Sequence, residues 1–110
     1  VSLQLTQLRK GTLEFCVLAV LEQGPAYGLE IAEELMARET LLQAQGTLYP
    51  LLGRLRKRGL VSTRWEESPT GPPRRYYALT DLGHETIATF RSVWKPFSED
   101  VDTMLGSRDA

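Results

Sequence analysis

The chain has 110 residues, 42% of them hydrophobic and 25% charged, a balance that excludes disordered and fibrous classes and fits one folded domain. Its net charge of −1 hides an uneven spread. Between Arg54 and Arg75 stand seven basic residues (Arg54, Arg56, Lys57, Arg58, Arg64, Arg74, Arg75) against Glu66 and Glu67, as expected of a phosphate-facing patch on an acidic body; charge alone leaves a solvated, salt-bridged face as the alternative.

The single cysteine, Cys16, permits no intrachain disulfide and reads as a buried thiol in a reducing compartment. It lies in the longest apolar run, Phe15 to Leu21, which is far short of the roughly 20 residues that span a bilayer. Neither an anchor nor a signal peptide is expected, and the location implied is cytoplasmic. A chain this short buries a modest share of its surface alone, so an apolar terminal helix favours pairing with a second copy.

In chain order, a first helix is expected from about Leu5 to Gln23. Leu5, Leu8, Leu13, Val17, Val20 and Leu21 lie near one stripe, Gly11 loosens the first half, and Gly24-Pro25 ends it. A second, short helix spans about Tyr27 to Arg38, with Leu29, Ile31, Ala32 and Leu35 inward and Glu30, Glu33 and Glu34 outward. A third runs from Gln45 or Gly46 to Arg58, with Pro50 at the edge of what a first turn tolerates and Gly59 as a left-handed cap. Leu60–Glu66 and Arg74–Leu79 have strand character, and Ser68–Pro73 reads as the loop of a β-hairpin. Tyr76 and Tyr77 must point to opposite faces, one of them to the core, and Trp65 reads as a packing residue. A last helix opens at Thr80 or Asp81 and carries Leu82, Ile87, Phe90, Val93, Trp94, Phe97, Val101, Met104 and Leu105. Pro96 within it predicts a kink or a break into two segments.

Three helices followed by a hairpin is the order of a winged helix-turn-helix, whose third helix enters the major groove. The fold class expected is therefore α+β, mainly α: three helices and a two-stranded wing over 1–79, and a C-terminal dimerisation helix over 80–110, as one compact unit. At 100° per residue Leu48, Leu51, Leu52 and Leu55 share the inward sector of the third helix. Opposite them lie Gly46, Pro50, Gly53 and Lys57, flanked by Thr47, Arg54 and Arg58 on one side and Tyr49 and Arg56 on the other. Small residues there allow close approach to a duplex, and polar ones can donate to phosphates or base edges. The DNA-binding candidates are Gln45, Thr47, Tyr49, Pro50, Arg54 and Lys57, with Arg74 and Arg75 from the wing. The plainer alternative has Thr47 as a helix cap, Tyr49 packed against the preceding helix and the arginines solvated.

The run Gly46-Thr47-Leu48-Tyr49-Pro50-Leu51-Leu52-Gly53-Arg54-Leu55, then Gly59-Leu60-Val61, Trp65, Gly71, Arg74-Arg75-Tyr76-Tyr77 and Leu79-Thr80-Asp81-Leu82-Gly83, resembles the PadR family of bacterial transcription regulators. Leu8-Arg9-Lys10-Gly11-Thr12-Leu13-Glu14 and Tyr27-Gly28 fit the same pattern, so the likeness covers about residues 5 to 85. It departs from the pattern at Pro96, where relatives often have no proline, and at Gly53, where a longer polar side chain is common. The resemblance implies a homodimer built by the first and last helices, repressing from a palindromic operator and released by an effector. The short tail implies the small subfamily with one C-terminal helix, whose members often sense aromatic or hydrophobic compounds at the dimer interface.

Phe15, Phe90, Val93, Trp94 and Phe97 are the candidates for such an effector site or for a filled dimer core. No enzyme is expected: His84 is the only histidine, and no nucleophile has a partner at catalytic spacing. No metal or cofactor is expected either, for want of a ligand spacing. The rival reading is a winged module that binds protein, which predicts an apolar or acidic third helix.

Overall fold

The computed structural model describes residues 3–106; the outer ends of the two expected segments, residues 1–2 and 107–110, lie outside the described residues. Gly11 does more than loosen a helix. Its φ of +110° is open to glycine and costly for other residues, and the expected first helix is cut there into α1 (Leu3–Arg9) and α2 (Leu13–Leu21). The Thr12 hydroxyl donates to the Leu8 carbonyl at 2.6 Å, satisfying an acceptor freed by the break. Leu8, expected on the apolar stripe, is exposed, because the break puts it out of phase with α2. Cys16 is half-buried rather than buried, and that burial pushes its thiol pKa up.

Tyr27 does not open the second helix. It pairs with Tyr76 in a two-residue strand, β1 (Ala26–Tyr27), and caps α3 (Gly28–Met36), its N–H donating to the Glu30 carboxylate at 3.1 Å. Ile31, Ala32 and Leu35 are buried as expected, whereas Leu29 is partly exposed, lying about 200° around the helix from Ile31. The third helix starts late, as Pro50 suggested. A 3-10 turn, Gln45–Thr47, precedes α4 (Leu48–Lys57), with Pro50 at its third position, where a missing N–H removes no intrahelical bond. At its end Gly59 has φ +78°; Leu60 N–H donates to the Leu55 carbonyl and Gly59 N–H to that of Arg56. These are the paired bonds of a Schellman cap.

The hairpin is longer and its turn tighter than expected: β2 (Val61–Ser68) and β3 (Gly71–Leu79) flank only Pro69-Thr70. The sheet order is β1-β3-β2, antiparallel throughout. Pro72 and Pro73 fall inside β3, where the register slips between Glu66 and Ser68; a strand can hold prolines where ladder bonds are already lost. Tyr77 is buried and Tyr76 is not. Trp65 is 62% exposed and so is not a core residue: it sits opposite Arg75, beyond the part of the sheet that the helices cover.

Thr80 caps α5 (Asp81–Met104), its hydroxyl accepting from Gly83 N–H at 3.0 Å and donating to the Gly59 carbonyl at 2.6 Å. Thr80 N–H also donates to the Leu60 carbonyl. A Cβ on Gly83 would lie 2.1 Å from the Leu60 carbonyl oxygen, so the first turn of α5 is seated directly on the cap of α4. Pro96 does not break the helix, which stays continuous over 24 residues; Ser92, whose carbonyl loses its partner, is on the exposed stretch and is left to water. Only Gly83 and Ile87 of α5 are buried. The helix carries the molecule to 53 × 31 × 21 Å and a radius of gyration of 15.8 Å, against about 13 Å for a compact chain of this length. The core lies at the other end, where Val17, Leu18, Ile31, Leu42, Leu48, Leu52 and Leu55 are sealed from solvent. Among the described residues no helix is long and apolar enough to cross a membrane.

Candidate nucleic-acid interface

The four leucines of α4, Leu48, Leu51, Leu52 and Leu55, are buried, so the rest of the helix must face outward. Thr47, Tyr49, Pro50, Gly53, Arg54, Arg56, Lys57 and Arg58 are all exposed. A Cβ on Gly53 would meet nothing within 4 Å, leaving a shallow, uncluttered centre to this face. Arg54, Arg56 and Lys57 crowd the last turn of α4, where the helix dipole favours cations. No acid among the described residues pairs with them. Arg58 differs: it forms a 2.6 Å ion pair with Glu14 at the start of α2, tying the end of the reading helix to the helix beneath.

Gln45 and Thr47 sit on the 3-10 turn, not on α4 itself. Gln45 Nε2 donates to the Tyr49 hydroxyl at 3.1 Å. The Tyr49 ring lies over Gly28, whose added Cβ would come within 2.7 Å of it. The plainer alternative for Tyr49 thus holds for its ring, while the side chain remains 41% exposed and brings Gln45 to the same edge. The turn between α3 and α4 is held from below by Arg9, which donates to the Thr40 carbonyl at 2.7 Å and the Glu39 carbonyl at 3.1 Å.

Strand alternation separates the two wing arginines. Arg74 lies 4.3 Å from the centre of the Tyr27 ring on one face, beside Tyr76; Arg75 lies 4.9 Å from that of Trp65 on the other. Each guanidinium is steadied by the negative face of an aromatic ring. Arg64, counted with the basic cluster, pairs with Glu66. The cluster is therefore three unpaired cations on α4 and two ring-stacked ones on the wing, with Arg58 and Arg64 neutralised.

At the far side, Phe15 of α2 stacks on Phe90 at 4.0 Å and 6°, and Phe90, Trp94 and Phe97 continue as a ladder at 5.6 and 6.3 Å. Phe15, Phe90 and Val93 share a hollow of about 370 Å³ with Leu82. Trp94 and Phe97 run on past it, and Phe97 is 61% exposed. Nearby, Arg91 grips Glu22 at the C-cap of α2 with bonds of 2.7 and 3.1 Å. The hydrogen bonds from Arg91 hold the Glu22 carboxyl below the usual carboxylate range and raise the Arg91 guanidinium pKa.

Sequence reasoning brought together Tyr49, Pro50, Arg54 and Lys57 on one face, with Gln45 and Thr47 at its leading edge. It missed that Arg9 and Lys10 stand beside this face: their sequence position on α1 and its end carries no signal of a contact made thirty residues away.

Several known proteins are similar to this chain in sequence and fold. A family model described as the transcriptional regulator PadR-like family matches residues 17–89. A PadR-like transcription factor from Bacteroides fragilis is 41% identical, with a TM-score of 0.75 over 90% of this chain and 95% of that one. A PadR-like transcriptional regulator from Bacillus cereus is 36% identical, with a TM-score of 0.78 over 91% and 97%. A PadR family transcriptional regulator from Eggerthella lenta is 33% identical, with a TM-score of 0.75 over 96% and 91%.

Proposed function

Because the chain belongs to the PadR-like family of transcriptional regulators, a DNA-binding regulator with the winged-helix fold, we propose that it acts in the cytoplasm as a homodimeric repressor of a palindromic operator. The described residues up to Leu79 are then the DNA-binding part and α5 (Asp81–Met104) the dimerisation helix. The observation that carries the reading is the outward face of α4, where Pro50 and Gly53 leave room for a duplex and no acid among the described residues pairs with Arg54, Arg56 and Lys57. Gln45, Thr47 and Tyr49 stand at its leading edge, and Arg74 and Arg75 supply the wing contacts. The protein-binding alternative requires an apolar or acidic face, which α4 does not present.

The dimer follows from α5, whose Val93, Trp94, Phe97 and Val101 are uncovered in one copy; a second copy removes them from water. Phe15, Phe90, Val93, Trp94 and Phe97 then border the gap between copies, where a planar aromatic effector stacks and displaces the repressor from DNA. An electrophoretic mobility assay on DNA upstream of the protein's own gene tests the DNA reading. A shift at 50 mM salt that weakens by about 10-fold or more at 200 mM is expected, since released counterions set the slope. Absence of any shift at low salt overturns it.

A further inference from the structure

A cleft of about 720 Å³ opens between the α1–α2 junction, the turn before α4 and the flank of α4 itself. We propose that it is a binding site for a small amphipathic organic anion, an apolar body carrying one carboxylate, sulfonate or phosphate, and that its occupant excludes DNA. Its size falls within the usual range for small-molecule sites.

The two ends of the cleft differ in chemistry. Its floor is Leu13, Leu41 and Leu51, and its rim carries Lys10 and Arg54. Neither of these cations pairs with an acid among the described residues. The other charges that line it are already committed: Arg9 to the Thr40 and Glu39 carbonyls, and Arg58 to Glu14. Two free cations over an apolar floor select a ligand with one anionic end and one apolar body. A duplex phosphate meets only the first of these requirements, since it carries no apolar body to set against Leu13, Leu41 and Leu51.

Thr47 and Arg54 line the cleft and also belong to the proposed DNA-reading face. On that reading, which this step rests upon, a ligand bridging Lys10 and Arg54 occupies the cation that a phosphate needs. The outcome is direct competition, independent of the aromatic gap on α5.

The probe is naphthalene-2-sulfonate, titrated into the 15N-labelled protein, with the neutral naphthalene-2-sulfonamide as control. Saturable amide shifts at Gly11, Gln43, Ala44 and Thr47 are expected, with affinity falling about tenfold or more for the sulfonamide and for Lys10→Ala, as loss of a charge-assisted bond implies. Lys10 is exposed, so the variant folds. Shifts confined to residues 90–97, no saturation, or equal binding of the neutral control each overturn the site. Operator DNA added to the loaded protein must displace the probe; a ternary complex with unchanged shifts overturns the competition. Should the probe bind here while no DNA binds under any condition, the site stands and the DNA reading falls.

Discussion

Gly83 shows how much one missing methyl group can hold. A Cβ there would press into the Leu60 carbonyl at 2.1 Å, and backbone cannot yield as a side-chain tip does. Gly83→Ala is expected to lose about 1–3 kcal/mol, the cost of overpacking a fitted site, read as a lower urea midpoint at unchanged m-value. A stability within 0.5 kcal/mol of the parent would contradict the close seat. Thr80 was legible as a cap because its side chain bonds within its own turn. Its second bond, to Gly59, and the need for glycine at 83 depend on a neighbour more than twenty residues back, and no local pattern carries that. Tyr49 shows the same limit: helical phase put it at the edge of the reading face, but only the tertiary fold supplies Gly28 as its seat.

Among the elements, long periodic segments were readable and short or conditional ones were not. The leucines of α4 repeat at helical spacing and are buried as expected, whereas β1 has two residues and exists only because β3 offers an open edge. Of the two outcomes expected at Pro96, a kink or a break, the break into two segments does not occur, because the cost of a lost bond is smaller on an exposed stretch than where protein surrounds the carbonyl. The joint between α2 and α5 makes a pH prediction. Arg91 depresses the Glu22 pKa, so the stability from this pair is complete above the ordinary carboxylate range and is lost as pH falls through the folded value beneath it. Glu22→Gln should therefore be less stable than the parent at pH 7, with the gap narrowing as the pH falls below the ordinary carboxylate range, compared by urea midpoints; a gap that stays constant as the pH falls would show that the pair contributes nothing specific.

For the whole molecule, the core was visible in the sequence but its extent was not. The apolar residues of α5 formed one stripe in the sequence, yet Ile87 is buried in the core of its own chain and Phe90 packs against that core, while Val93, Trp94, Phe97 and Val101 stay exposed. In sedimentation equilibrium the protein should run at twice its 12.4 kDa. Phe97→Glu, which sets a charge on the uncovered stripe without touching the core, should return it to the single-chain mass with its helical content retained; a persistent dimer would place the contact elsewhere. The candidate site was legible as far as one helix face could carry it. Its basic count was overstated, because Arg58 and Arg64 find acids only once the chain is folded.

The seat of α5 on the cap of α4 makes the two helices a single crank. Thr80 binds Gly59 and Leu60, and Gly83 leaves no play against them. In the proposed dimer, a tilt of one α5 against that of the second copy would be passed on to α4 through this seat, and a change of a few degrees would become a displacement at the tip of a lever about 36 Å long. On the proposed dimeric reading, the spacing of half-sites that the pair would span, one helical turn of DNA or a multiple, would then follow from the angle at which the two shafts cross, far from any base.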